Sequence, residues 1–559
     1  MLNIEKSNKQ STLKIKVAYK TIKMFLNNNK NSQMKNKLLM FGTALALSLG
    51  SCTSNFEDIN TNESGFSNPQ LEQDFNQVKA PIKAMERGMY ILVADDWQGD
   101  IQFNLNADIF SGYMSTPHNF EGNSNNSTYA LLDGWNNAEW IQKYQKEMVN
   151  AYNLEKLTKE KYPQFYAWSL ILKVYAMHKT TDYYGPIVYS GFGNTDGTTP
   201  YDSQKAVYDQ FFVELKTAVD ILTAKVGSTT DATFFAAGDA TDGTTANGNI
   251  VKWIKFANSL RLRLALRISN IDPAKAKTEG EAALAGFGVI TSNDDNMLYK
   301  ADHPVRTYTG GWADINAGAA ITSIMNGYND PRRSVFFKTS KIGTYQGIRM
   351  GSLVNDDYRF AKQDQFSQVG AIVENNTIPW FCAPESYFLK AEAALKGWNV
   401  GGSAQSFYEA GIAASFAQLG SGGASAYVAD DVSMPANFTD PLNAANNIAA
   451  QNLVTVKWSD AVSNEVKLQK IITQKWIAGF PDGQEAWAET RRTGYPKLFL
   501  PTNNLSGGKI PAGTFIKRLN FNVNEKTSNP NGYAQGVQLL GGPDTGATKL
   551  WWDTGVNKF

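Results

Sequence analysis

The sequence predicts a mainly α-helical fold in which helical hairpins of the tetratricopeptide kind support a loop-rich, irregular half. Three observations carry this reading. Trp253, Phe256, Ala257, Leu260, Leu264 and Ile268 recur at helical spacing while Lys255 and Arg261 fall off that face, the pattern of an amphipathic helix with one buried stripe. Two helix pairs resemble each other: Pro163-Gln164-Phe165-Tyr166 opens one and Pro384-Glu385-Ser386-Tyr387 the other, each followed by a helix with an early aromatic, Tyr208 or Tyr408. Ala-spaced apolar residues follow in both, and small residues let paired helices approach closely, as stacked hairpin repeats require. Long Gly/Asn/Thr/Asp stretches at 119–128, 190–200, 227–250 and 420–452 separate the helices; loops of that length in a compact chain carry function or decorate the surface.

In chain order, helices are expected at about 70–93, 136–158, 163–178, 203–224, 253–268, 274–286, 313–327, 385–397 and 404–418. Leu468, Ile471, Ile472, Trp476 and Phe480 continue the pattern, capped by Ser463 or Asn464 and stopped by Pro481-Asp482-Gly483. Another helix follows from Glu485. Tyr183 to Tyr189, which holds Gly185-Pro186, reads as an aromatic-packed turn behind a helix.

Of the 559 residues 53 are Lys or Arg and 52 are Asp or Glu, but this balance joins two unlike parts. The first 51 residues hold nine Lys and one Glu, which leaves 44 basic against 51 acidic groups beyond. A mildly acidic body repels phosphate backbones, so no nucleic-acid partner is expected. Met34-Lys35-Asn36-Lys37 precedes the mostly apolar run Leu38 to Leu49, followed by Gly50-Ser51-Cys52. That run is too short for an ordinary spanning helix, and its flanks fit a lipoprotein signal peptide. Residues 1–51 are therefore expected to be a leader, with Met34 as the true start. The Cys52 thiol would carry diacylglycerol, a stable anchor once several acyl chains are present. Residues 52–66 would form a polar tether and 67–559 a single composite domain, held on a membrane surface by its lipid.

Five segments together resemble the SusD/RagB family of outer-membrane nutrient-binding lipoproteins. They are Thr181-Asp182-Tyr183-Tyr184-Gly185-Pro186-Ile187-Val188-Tyr189-Ser190, Trp253 to Arg263, Ala383 to Ala393, Ile471 to Trp476 with Glu485-Ala486-Trp487 and Arg491-Arg492-Thr493-Gly494-Tyr495-Pro496, and the ending Leu550-Trp551-Trp552-Asp553. The lipidated cysteine with Phe56-Glu57-Asp58-Ile59-Asn60 extends the likeness forward. Ile516 to Asn522 departs from the Tyr-Pro version that relatives often show before Glu525. The resemblance implies four tetratricopeptide-like hairpins, an outer-membrane location facing the cell exterior, and a lid on a SusC-like TonB-dependent barrel. Such a lid captures an oligomeric nutrient, usually a glycan and in some members a peptide, without chemistry.

Sugar recognition needs aromatic faces for pyranose C–H surfaces and polar side chains for the hydroxyls. Asp95-Asp96-Trp97 to His118-Asn119-Phe120 supplies that mixture, and so does Asp302-His303-Pro304 to Gly311-Trp312. Trp97, Tyr113, Phe120, Tyr308 and Trp312 are the candidate ligand-binding residues, against the simpler role of packing loops onto helices. Arg491 and Arg492 near Glu485 and Glu489 read as helix-end salt bridges and carbonyl caps, and Asn258 as a bond to neighbouring backbone. Enzymes are disfavoured: the glycine-rich stretches lack dinucleotide or phosphate-loop spacing, no Gly-x-Ser-x-Gly occurs, and the lone Cys382 reads as a buried small hydrophobe. A surface glycoside hydrolase needs only two separated carboxylates and stays as a lesser alternative, beside an adhesive lipoprotein. No cofactor or metal is expected. Asp239 and Asp242, or Asp294-Asp295-Asn296, have oxygen ligands for calcium but lack an EF-hand pattern and read better as Asx-turns.

Overall fold

Many of the long helices start on a residue whose side chain satisfies one of the first free backbone N–H groups. The structure is a computed structural model, described for residues 73–194, 198–228, 240–555 and 559. In it Ser203, Asn249, Asp272, Ser403, Ser463 and Asp482 all accept a backbone N–H at a helix start. The longer helices are α1 (Asn76–Gly88), α2 (Asp133–Gln142), α3 (Val149–Thr158), α4 (Pro163–Tyr184), α5 (Gln204–Thr223), α6 (Ile250–Arg267) and α7 (Pro273–Ala283). After them come α8 (Ala319–Gly327), α9 (Ala383–Leu395), α10 (Ala404–Gln418), α11 (Asn464–Ala478), α12 (Gly483–Thr493) and α13 (Pro530–Leu540). These elements belong to Asp74–Phe559, one of the two units of the chain. The other, Met1–Gln73, lies outside the described residues except for Gln73, and with it the leader, Cys52 and the 52–66 tether. Among the described residues no helix is long and apolar enough to cross a membrane.

The mainly helical expectation holds. Helices α4 and α5, α6 and α7, and α9 and α10 pack as hairpins, while α1, α3 and α5 surround α4. Helix α4 is buried along nearly its whole length, as a helix at the centre of a core must be. It runs six residues past its expected end at 178. His178 to Asp182 break the apolar pattern, yet each is buried, and tertiary partners replace water: Lys179 meets Asp482 at 3.0 Å and Asp182 accepts the Tyr208 hydroxyl at 2.6 Å. Tyr183 and Tyr184 are thus helical, not part of the turn. The stop is Gly185 at φ 87°, a left-handed conformation that side chains disfavour. Helix α13 was not expected, because Gly532 and Gly536 weaken its propensity; Pro530 in its first turn and the Asn529 cap start it.

Charges from four helices meet in the interior. Arg267 of α6 pairs with Glu485 at 2.5 Å and with Glu489, both on α12; Arg492 binds Glu392 of α9 and Glu489, each at 2.7 Å; Lys475 of α11 lies 2.8 Å from Glu485. Arg492 therefore joins helices through the core and does not merely cap a helix end. Removing one partner of a buried pair strands the other, at about 3–5 kcal/mol. The Trp-Trp-Asp ending closes this region: Trp552 is fully buried, its indole donates to Asp182 at 2.8 Å, and its ring lies 5.0 Å from the Arg491 guanidinium. Asn258 bonds the Gly288 carbonyl at 3.0 Å, as expected.

Two short antiparallel ladders organise the loop-rich half. Strand β1 (Met114–Ser115) pairs with β3 (Asn316–Ala317), and β2 (Met297–Tyr299) with β4 (Ile378–Phe381). Helix α8 starts at Ala319 and not near 313, because the β1–β3 ladder claims the backbone just before it.

Candidate functional site

The β1–β3 ladder sets Met114 opposite Ala317 and Ser115 opposite Asn316, and so brings the two aromatic-rich segments together from about 200 residues apart. Trp97 projects from the loop after α1 and is 58% exposed; Trp312, behind the turn Thr307–Gly311, is 36% exposed. Tyr308, buried, sets its ring 5.0 Å from that of Trp312. Gly99 faces the Tyr308 hydroxyl and the Ile91 carbonyl so closely that any side chain there would collide with both.

The contacts continue to the other predicted segment. Asp314 accepts from Arg359 at 3.4 Å, Arg359 also meets His118, and the His118 ring stacks on Phe120 at 3.8 Å. Phe120 stands edge-on to half-buried Trp135 at 5.5 Å. Beside Arg359, whose guanidinium lies 5.0 Å from its ring, Phe360 is 66% exposed. Trp312, Phe120 and Phe360 are thus linked through Tyr308, Asp314, Arg359 and His118, and the loop that carries Asp96, Trp97 and Gln98 meets them where Gly99 abuts Tyr308. The Trp97 loop also walls a polar cavity of about 580 Å³ with Arg87, Gln142 and Gln145.

Buried charge underlies the cluster. Burial pushes the Asp314 carboxyl up to about 6 against the pull of Arg359, and it raises Asp100 well above the usual range, with Asp314 and Asp108 adding repulsion. Burial and then the Arg359 charge lower His118. His303, buried with neither ring nitrogen bonded among the described residues, is pushed down to about 3 and is neutral at ordinary pH.

Two of the five candidates have no exposed ring. Tyr113 is wholly buried, its hydroxyl donates to the Trp476 carbonyl, and its ring packs 4.9 Å from Trp476 and 5.2 Å from Phe480. It is a core residue, held by a helix 363 positions away in sequence. Tyr308 supports Trp312 from below. Sequence reasoning missed Phe360, Arg359 and Asp314, although Asp356-Asp357-Tyr358-Arg359-Phe360 shows the same mixture of aromatic and polar residues that marked the other two segments.

A family profile described as "SusD-like: Susd and RagB outer membrane lipoprotein" matches residues 58–553. This chain belongs to the SusD-like family. Among solved structures, a chitin-binding SusD homolog from Flavobacterium johnsoniae is 48% identical, covers 87% of this chain and 100% of its own, and superposes with a TM-score of 0.82. A SusD homolog from Bacteroides vulgatus is 36% identical over 87% and 99% of the two chains, with a TM-score of 0.79. A SusD-like protein from Bacteroides thetaiotaomicron is 31% identical over 85% and 98%, with a TM-score of 0.78. No curated protein sequence matched.

In this SusD-like chain the segments that carried the resemblance are mostly interior, and they contribute to α4, α6, α9, α11, α12 and the Trp552 plug. The departing segment 516–522 is also packed, with Leu519 bonded to the Tyr183 carbonyl and Arg518 to Asp544 at 2.6 Å. Cys382 is half-buried, not fully so, and its thiol is pushed up to about 12, chiefly by burial and next by Glu385. A thiol so strongly protonated is no nucleophile. Asp242 is paired with Lys83 at 3.0 Å and Asp295 with Lys255 at 2.6 Å; Asp239 lies outside the described residues, among which no group of three or more His, Cys, Asp or Glu could hold a metal.

Proposed function

We propose that this SusD-like protein captures an oligosaccharide on the cluster of Trp97, Trp312, Phe120 and Phe360 and passes it, as a lid, to a SusC-like TonB-dependent barrel. Lipid on Cys52 would hold it at the outer face of the outer membrane. The supporting observation is the exposure of three aromatic rings, Trp97, Trp312 and Phe360, on loops that meet through Gly99, Tyr308, Asp314 and Arg359 and also carry polar side chains. Exposed aromatics of this kind are the surface a pyranose stack uses, and Asp96, Gln98 and Arg359 can meet hydroxyls. The likeness to a chitin-binding homolog, at 48% identity, makes β-linked N-acetylglucosamine oligomers the first ligands to try.

Isothermal titration against chitooligosaccharides, other glycans and a peptide panel tests the reading. Saturable heat with a glycan, weakened in Trp97→Ala, is expected; heat from peptides alone would overturn the glycan assignment. Co-purification from solubilised outer membranes with a TonB-dependent barrel is expected as well, and incubation with the bound glycan should release no reducing ends.

A further inference from the structure

A cavity of about 640 Å³ at the C-terminal end of α12 is walled by five basic side chains, Arg349, Arg491, Arg492, Lys497 and Lys517, and by one acid, Glu465. This is a local reversal of charge, since the chain beyond residue 51 has 44 basic and 51 acidic groups. Two of the five are neutralised: Arg492 by Glu392 and Glu489, and Lys517 by Asp553 at 2.9 Å. Glu465 itself accepts the Tyr495 hydroxyl at 2.7 Å.

The other three have no carboxylate within ion-pair distance among the described residues. Arg349 donates to the carbonyls of Asn446 at 3.2 Å and Leu500 at 3.1 Å, and its Nε has no partner. Arg491, 4% exposed, donates to the carbonyls of Trp487, Asp182 and Lys517, and one of its terminal nitrogens has no partner. The exposed Lys497 amine stands 4.7 Å from the centre of the Tyr495 ring. Carbonyl dipoles solvate a cation but do not cancel its charge, and buried cations are normally paired. Accordingly, burial pushes Arg491 down to about 10 against the more distant pull of Asp182 and Asp553, and it also lowers Arg349.

We propose that this cavity binds a small oxyanion, a carboxylate or sulfate group, through Arg349, Lys497 and Arg491. The planar guanidinium fork suits such groups, and the amine adds a point charge. The oxyanion can belong to an acidic sugar or to a free inorganic anion. The site is separate from the aromatic cluster and does not depend on the glycan reading.

Isothermal titration of the intact protein at fixed ionic strength, with sodium glucuronate and with sodium sulfate against sodium chloride, tests it. Saturable binding of either is expected. Tighter glucuronate binding assigns the site to an acidic sugar, and tighter sulfate binding to an inorganic or ester anion. Lys497→Gln, an exposed change whose folding is checked by circular dichroism, should weaken binding about 10-fold, the loss of one charge-assisted hydrogen bond. Lys497→Glu should abolish it. A non-saturable response equal to that of chloride, or unchanged affinity in Lys497→Glu, overturns the proposal.

Discussion

The half-exposed ring of Trp312 rests on the buried ring of Tyr308, with centroids 5.0 Å apart and planes inclined by 49°. The Tyr308 hydroxyl has no hydrogen-bond partner among the described residues. Its ring, not its oxygen, therefore does the supporting. Tyr308→Phe should leave thermal stability and ligand affinity unchanged, since it removes an unpaired buried group. Tyr308→Ala should destabilise by about 3–5 kcal/mol and weaken ligand binding as Trp312 loses its base. Thermal unfolding with titration of both variants checks this; equal losses in the two would show that the hydroxyl matters.

Trp97 stands mostly free of the protein, so its replacement should separate binding from stability. Trp97→Ala is expected to weaken glycan binding about 10-fold, the upper end of one aromatic contact. Stability should shift by no more than about 0.5 kcal/mol. An affinity equal to that of the unaltered protein would remove Trp97 from the binding surface.

Arg492, wholly buried between Glu392 and Glu489, should behave oppositely. Arg492→Met leaves Glu392 without its bidentate partner and should cost about 3–5 kcal/mol in urea unfolding, with no change in ligand affinity under conditions where the variant is folded. A loss below about 1 kcal/mol, the scale of an exposed pair, would place this residue outside the buried network.

Glu86 gives the fold a pH dependence. The residue is 1% exposed, and burial, followed by repulsion from Asp242, raises its carboxyl from the usual 4.5 to about 8, while the Gly243 backbone, Lys83 and Lys300 oppose the rise. An acid whose folded pKa exceeds its unfolded one binds more protons when folded, so stability falls as pH rises from about 4.5 to about 8. Urea midpoints at pH 5 and pH 8 should show that loss in the unaltered protein and a smaller one in Glu86→Gln. Identical pH losses in both would rule out Glu86 as the source.

The helices were legible because their signals are local. A cap such as Asn249 and the apolar spacing from Trp253 to Ile268 lie within one short window. The same locality explains the errors at Tyr183 and Tyr184. They are helical because Lys179 and Asp182 find partners on Asp482 and Tyr208, which no window around residue 180 contains. Arg359 was passed over because its role comes from Asp314 and His118, residues brought beside it only by the folded loops.

The sequence alone determined the helical class, most helix positions, the resemblance to the SusD/RagB family and the two segments rich in aromatic and polar residues. Tertiary structure alone decided which aromatics remain exposed. Tyr113 and Trp97 stand in the same segment with similar composition around them, yet Trp476 and Phe480 cover one while the other stays 58% exposed. Periodicity and capping depend on neighbours within a few residues, whereas solvent exposure depends on what the rest of the chain lays against a side chain.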